Sequence, residues 1–321
     1  MSEDGRAAEA QDILFEYAQL PGQEKPPAEP TVRTADFPVW TDNKAKFITL
    51  YLRYFVLLTK HGTYIDGFAG PQQECETDSW TAKLVLASEP QWIRHFHLCD
   101  QSKAQIARLE ELMKVQPIRD SRGRKLYRKI QVYQGDFNTK IDEILADGNI
   151  SQNQATFCLL DQRTFECHWR TIEKIANYKR KSENKIELFY FLANGWLERA
   201  LAAQKDEEVL VMWWGRDDWP KLREMSREQR RDALVNRMRR DLGYKSVKPW
   251  PIYERENGGA IMYYMIHATD HPEAPKFMSR AYRRAVYPLE PIEQLKLELE
   301  SESRGPHMQP SLSPIDTQRS A

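Results

Sequence analysis

From residue 40 to about 270, short continuous apolar runs alternate with stretches whose apolar positions recur every three to four residues. The first pattern suits strands buried in a sheet and the second suits helices. A helix is predicted over about 41–60, where Thr41 or Asp42 can cap it and Phe47, Tyr51, Tyr54, Phe55 and Leu58 form its apolar face. Gly62 stops it, and 63–66 reads as a strand. A helix at about 78–88, a strand at 94–100 and a helix at 102–115 follow, the last with Ile106, Leu109, Leu112 and Met113 on one face. A third strand is expected at 129–134, with Ile141, Ile144 and Leu145 marking the next helix. The fourth strand, 156–161, is nearly all apolar, as burial on both faces requires. Trp169, Ile172 and Ile175 mark its helix; 186–192 is the fifth strand, with Trp196, Leu197 and Leu201 on the helix after it.

Five strand-then-helix units predict a parallel sheet with helices on both faces. After residue 205 the rhythm changes. Residues 209–214 are apolar and read as strand or packed loop, 226–241 as a charged helix, and 249–255 and 260–267 as two strands. Glu256-Asn257-Gly258-Gly259 is a hairpin signal between those strands. A mostly parallel α/β sheet closed by an antiparallel hairpin is the outline of the Rossmann-like class I methyltransferase fold. The expected plan is a flexible N-terminal segment at 1–36, one α/β domain at 37–290 with an inserted basic helical region at about 205–248, and a disordered tail at 291–321.

Composition narrows the class. The chain has 321 residues, 41% of them apolar, enough for a sizeable core. It contains no apolar run of the ~18 residues a membrane span needs, and its first residues do not form a signal peptide. A cytoplasmic protein with no membrane contact is expected. Cys75, Cys99, Cys158 and Cys167 form no C-x-x-C pair, so no metal site is expected; Cys99 and Cys158 sit in strand-like runs as small core residues. Lys plus Arg balances Asp plus Glu at 47 each, but acidic ends leave a basic middle. The basic runs at 119–129 and 221–248, with Trp213, Trp214, Trp219 and Trp250 nearby, could track a DNA or RNA backbone and stack bases. The alternative for the second run is a solvated helix face, with Glu228–Arg231 and Arg237–Asp241 as pairs.

In an open α/β sheet, ligands bind beyond the carboxyl ends of the strands where strand order reverses. The first strand ends in Asp66-Gly67-Phe68-Ala69-Gly70-Pro71, in which Asp66 could hold a cationic amino group such as that of S-adenosylmethionine and the glycines let backbone approach a ligand. A plain Gly-Pro turn is the competing reading. The second strand ends in Asp100, suited to ribose hydroxyls or to capping the next helix. Asp136 and Phe137 at the third strand end suit adenine, its amine and its ring face; Asp136 or Asn138 as a helix cap is the alternative. Asp161, Arg163, Phe165 and Glu166 follow the fourth strand. Asp161 could accept a proton from a methyl acceptor, Phe165 could stack on it and Arg163 could meet a phosphate; an Asp161–Arg163 structural pair is the alternative.

Over about residues 40–285 the chain resembles the three-Cys-motif partner (TcmP) proteins, which are bacterial-type and methyltransferase-like. The resemblance is carried by Lys44 and Tyr51-Leu52, by Tyr64-Ile65-Asp66-Gly67-Phe68-Ala69-Gly70-Pro71, by Asp161-Gln162-Arg163-Thr164-Phe165-Glu166, by Lys185 to Phe191, and by Tyr263 to Thr269. It implies a class I methyltransferase-like fold and a partner protein bearing a three-cysteine motif. Gln72 stands where many such loops carry a further glycine, and no Pro-Pro-aromatic or Pro-Cys follows Asp161. Two functions compete: a methyltransferase using S-adenosylmethionine, with nucleic acid as acceptor, and a catalytically degenerate binding protein of the same fold acting with its partner. A nicotinamide-dependent oxidoreductase is disfavoured by the absence of a G-x-G-x-x-G fingerprint.

Overall fold

A computed structural model describes residues 39–71, 79–179, 182–255 and 258–286. The expected flexible segment at 1–36, the tail at 291–321, Gln72, Cys75 and the hairpin residues Glu256 and Asn257 lie outside them.

The elements follow the alternating pattern. Helix α1 (Val39–Thr59) precedes β1 (Gly62–Asp66), α2 (Thr81–Ala87), β2 (Ile93–Asp100), α3 (Lys103–Lys114), β3 (Lys129–Gln134) and α4 (Phe137–Ala146). Then come β4 (Thr156–Leu160), α5 (Trp169–Tyr178), β5 (Glu187–Leu192), α6 (Asn194–Ala203), α7 (Glu207–Trp214), a 3-10 turn (Trp219–Arg223) and α8 (Arg227–Arg240). The hairpin strands β6 (Ser246–Arg255) and β7 (Gly258–Thr269) and helix α9 (Ala274–Val286) complete the described fold.

The strands form one seven-stranded sheet in the order β3-β2-β1-β4-β5-β7-β6. β1 pairs in parallel with both β2 and β4, whereas β7 runs antiparallel to β5 and β6. This order, with its antiparallel β7, is that of the class I methyltransferase sheet. Its continuous apolar strands reflect cover on both faces. Side chains alternate along a strand: Ile65, Cys158, Leu160, Leu188 and Tyr190 enter the core under α4 to α8. Their neighbours Tyr64, Phe157, Leu159, Phe189 and Phe191 enter the core under α1, α2, α3 and α9. Cys99, Cys158 and Cys167 are all buried free thiols.

Two elements depart from expectation. Residues 209–214 are neither strand nor loop but most of α7. Asp206 caps that helix by accepting the Glu208 N–H at 3.0 Å, and Glu207 and Glu208 complement its dipole. Gly215 ends it at φ 76°, where a Cβ would lie 2.6 Å from Trp169. These end signals outweigh the strand preference of Val-Leu-Val. Helix α9 lies beyond the last predicted strand; its buried Met278, Ala281, Tyr282 and Ala285 pack in the core that holds α1.

The region between α6 and β6 is built into the domain. Ser226 and Gln229 form a reciprocal capping box on α8. Arg237 is buried between the rings of Trp169 and Trp214, 3.8 and 4.4 Å from their centroids, and pairs with Asp241 at 3.0 Å. Arg230 is buried and donates to the Leu222 carbonyl at 2.7 Å. Trp213, Trp214, Trp219 and Trp250, expected to stack bases, are all buried, so their faces are taken by the core.

Candidate functional site

Strand order reverses between β2-β1 and β4-β5, so the carboxyl ends of β1, β2, β3 and β4 come together at the place where such folds bind ligands. The loop after β1 is stitched between its neighbours: the Gly67 N–H donates to the Leu159 carbonyl at 3.1 Å and the Ala69 N–H to the Cys99 carbonyl at 2.8 Å. A Cβ on Gly67 would meet the Phe137 ring at 2.9 Å, and one on Gly70 would meet the Asp100 carboxylate at 2.5 Å. Both glycines therefore allow the β1 loop to lie directly on groups from the ends of β2 and β3.

Asp100 is half-buried, and each of its oxygens takes one backbone donor: the Gly70 N–H and the Ser102 N–H, both at 2.9 Å. A carboxylate oxygen has two lone pairs, so each can accept one more hydrogen bond. Asp66 is differently placed. It is 1% exposed, accepting from the Tyr64 hydroxyl at 2.9 Å and the Phe68 N–H at 3.1 Å. Burial pushes its carboxyl up to about 7, against the pull of those two hydrogen bonds. Asp136 caps α4 through the Asn138 N–H at 3.0 Å, while Phe137 is buried 6.0 Å from Phe68.

After β4 the polar cluster divides. Asp161 pairs with Lys44 of α1 at 2.6 Å, with side chains 6% and 1% exposed. The Lys44 ammonium also stands over the rings of Phe191 and Tyr263, 5.6 and 6.0 Å from their centroids. The alternative partner Arg163 is exposed. Phe165 is buried edge-on against Trp213 at 5.0 Å, and Glu166 is exposed, with its carboxylate accepting the Thr164 N–H at 2.7 Å. Gln162 holds this loop from within: its carbonyl accepts the Cys167 N–H at 2.7 Å and its amide donates to the Tyr190 hydroxyl, which also takes the Trp213 indole N–H at 2.8 Å. Asn138 ties the ends of β3 and β4 together, donating to the Glu166 carbonyl at 2.7 Å and accepting the His168 N–H at 2.8 Å. Sequence reading gave no role to Gln162 and saw Asn138 only as an alternative helix cap. The signal was Asn138 directly after the Asp136-Phe137 pair, and a lone amide after the buried fourth strand.

Asp100 can accept further hydrogen bonds from a ligand lying beside the β1 loop backbone. The described residues contain no group of three or more His, Cys, Asp or Glu able to hold a metal ion, and no described helix is long and apolar enough to cross a membrane. No family model matches the chain, and no curated protein matches it. Solved structures with similar architecture include protein LPL1258 from Legionella pneumophila, 11% identical, covering 78% of this chain and 93% of that one with a TM-score of 0.40. Human methyltransferase-like protein 13, in complex with SAH, is 10% identical over 77% of this chain and 93% of its own, with a TM-score of 0.41. Trm1 from Pyrococcus horikoshii, in complex with S-adenosyl-L-methionine, is 13% identical over 77% of this chain with a TM-score of 0.41, and this chain spans 60% of its length.

Proposed function

We propose that the chain binds S-adenosylmethionine at the carboxyl ends of β1 to β3 and transfers its methyl group to nucleic acid. The observation that carries this reading is Asp100: a half-buried carboxylate at the end of β2, beside the strand reversal, fixed by the Gly70 and Ser102 N–H groups and with a lone pair left on each oxygen. Such a group suits the two hydroxyls of a ribose. Asp136 stands at the next strand end for the adenine amine, and the backbone of Gly67 to Gly70 borders the part that takes the methionine moiety. Asp66 acts one step away, holding the Phe68 N–H and thereby the shape of that loop. Bound there, the cofactor supplies a methyl group activated by the sulfonium. On this chain's side, Glu166 and Arg163 are the exposed charges beside the site for orienting an acceptor. Asp161 is a positioning residue, since accepting a proton would mean giving up its pair with Lys44.

The acceptor reading draws on the 119–129 segment. Arg119 and Lys125 bridge a short hairpin-like loop, closed by Asp120 with Arg124 at 2.7 Å. Arg119, Arg122, Arg124 and Lys125 are exposed on it, next to the exposed Ile118 and Tyr127. Exposed cations interleaved with an aromatic face suit a nucleic acid strand.

A second reading keeps the cofactor fold without turnover, as a binding protein working with a three-Cys-motif partner. It is favoured by the burial of Phe165 and the engagement of Asp161. Calorimetric titration of the full chain with S-adenosylhomocysteine separates the two. Stoichiometric binding that is lost in Asp100→Ala is expected; a folded protein that does not bind refutes the enzyme reading. Labelled-methyl transfer to DNA, RNA and the partner then identifies the acceptor.

A further inference from the structure

At the opposite edge of the sheet, below the amino ends of β4 and β5, a cavity of about 300 Å³ opens between the ends of α1 and α5 and the start of α9. That is the lower end of the size range of metabolite pockets, roughly 300–1,000 Å³. Phe55, Leu58 and Phe277 give it an apolar wall. Beneath them lie two buried charged side chains, Glu187 and Lys179.

The two charges are not equivalent. Glu187 is engaged on every side: it accepts from the Tyr51 hydroxyl and from Thr269 Oγ1 at 3.0 Å, and lies 2.8 Å from His267 Nε2. Lys179 is 4% exposed, and its ammonium donates to the Gln154 carbonyl. No carboxylate among the described residues forms an ion pair with it, and burial pulls it down to about 8. An ammonium carries three donors, so Lys179 has donors to spare in a place where an uncompensated charge is costly. His61 lines the same cavity, and its buried Nδ1 has no hydrogen-bond partner among the described residues. The other basic side chains on the wall have partners: Lys185 pairs with Asp270 at 3.2 Å, and His271 Nδ1 accepts the Glu273 N–H at 3.2 Å.

We propose that this cavity is a second ligand site, taking a compact organic anion whose carboxylate or phosphate is held by Lys179 and His61 and whose apolar body lies against Phe55 and Phe277. A charge-assisted hydrogen bond from a buried ammonium to an oxyanion supplies the missing counter-charge. The site stands apart from the carboxyl edge and does not rest on the cofactor reading.

The test is calorimetric titration of the full chain at pH 7 and physiological salt with phenyl phosphate, benzoate and inorganic phosphate. One aryl anion is expected to bind at one site per chain and more tightly than inorganic phosphate; whether phenyl phosphate or benzoate wins identifies the head group. Lys179→Met, which keeps the aliphatic stem, should weaken binding at least tenfold. Leu58, 39% exposed at the mouth, offers a surface control that leaves folding intact: Leu58→Glu should weaken binding severalfold and Leu58→Lys should tighten it. Absence of aryl-anion binding, or affinity unchanged in a folded Lys179→Met, overturns the proposal. If Lys179→Met does not fold, equal affinities in the two Leu58 variants overturn it.

Discussion

Lys44→Met tests what Asp161 is for. The substitution keeps the buried stem of residue 44 and removes only the ammonium. Asp161, with its side chain 6% exposed, would lose the partner it holds at 2.6 Å. Removing one member of a buried ion pair typically costs about 3–5 kcal/mol, because the remaining charge is left without compensation. In a domain of this size, each kcal/mol lowers the melting temperature by roughly 2–4 °C, so a fall of about 6–20 °C is expected. Replacing both partners by apolar groups is commonly neutral, so Lys44→Met/Asp161→Leu should recover most of the loss. Urea unfolding followed by tryptophan fluorescence measures both variants and Asp161→Leu, and the double-mutant cycle isolates the pair. A Lys44→Met protein within about 1 kcal/mol of wild type, or a double variant no better than the single, would refute the pairing argument. Asp161 would then regain its candidacy as a proton acceptor.

Two further substitutions probe the β1 loop. The Asp66 carboxyl is raised from 3.8 to about 7 by burial, so the folded state binds the proton more tightly than the unfolded chain; its contribution to stability is full below pH 4 and is lost as pH rises towards 7. Asp66→Asn removes that dependence, and between pH 5 and pH 8 the variant should gain about 2–3 kcal/mol on wild type in denaturant titrations; a constant difference across that range would contradict the assignment. Gly70→Ala puts a methyl 2.5 Å from the Asp100 carboxylate, which should cost about 1–3 kcal/mol and weaken S-adenosylhomocysteine binding. Wild-type affinity in that variant would mean that Asp100 does not need the position it holds.

Much of the fold was legible because burial on two faces writes itself into composition. Residues 157–160 are apolar throughout, and the structure places them at the centre of the sheet. The β3 boundaries at Lys129 and Gln134 follow from Ile130, Val132 and Tyr133 standing between basic residues and Gly135. α7 was missed because six apolar residues in a row carry no period. Asp206 and Gly215 were the usable signals, and they act at the ends of the run. The site was legible only as positions. Asp66, Asp100, Asp136 and Asp161 all sit at strand ends, as alternation demands. Which of them faces a ligand depends on partners from elsewhere in the chain, such as Lys44 for Asp161, and local sequence does not encode such pairs. The tryptophans show the same gap: aromatic rings near basic residues suit stacking, but Arg237 turns inward and Trp169 and Trp214 close on it.

The glycines of the β1 loop sharpen the functional question. Gly67 and Gly70 are small because Phe137 and Asp100 press against them, so their presence is explained without a ligand. The polar groups discriminate better. A loop serving packing alone would have its carboxylates buried against internal partners, out of reach of a ligand, as Asp66 and Asp161 are. Asp100 is held by two backbone N–H groups and remains half-buried with a lone pair on each oxygen. Fixing a carboxylate while leaving it able to accept more hydrogen bonds preorganises it for donors that arrive with a ligand. The vicinal hydroxyls of a ribose present two such donors side by side. Asp100 is therefore where a cofactor-binding protein and a merely similar fold part ways, and its substitution should be silent in stability assays far more than in nucleoside binding.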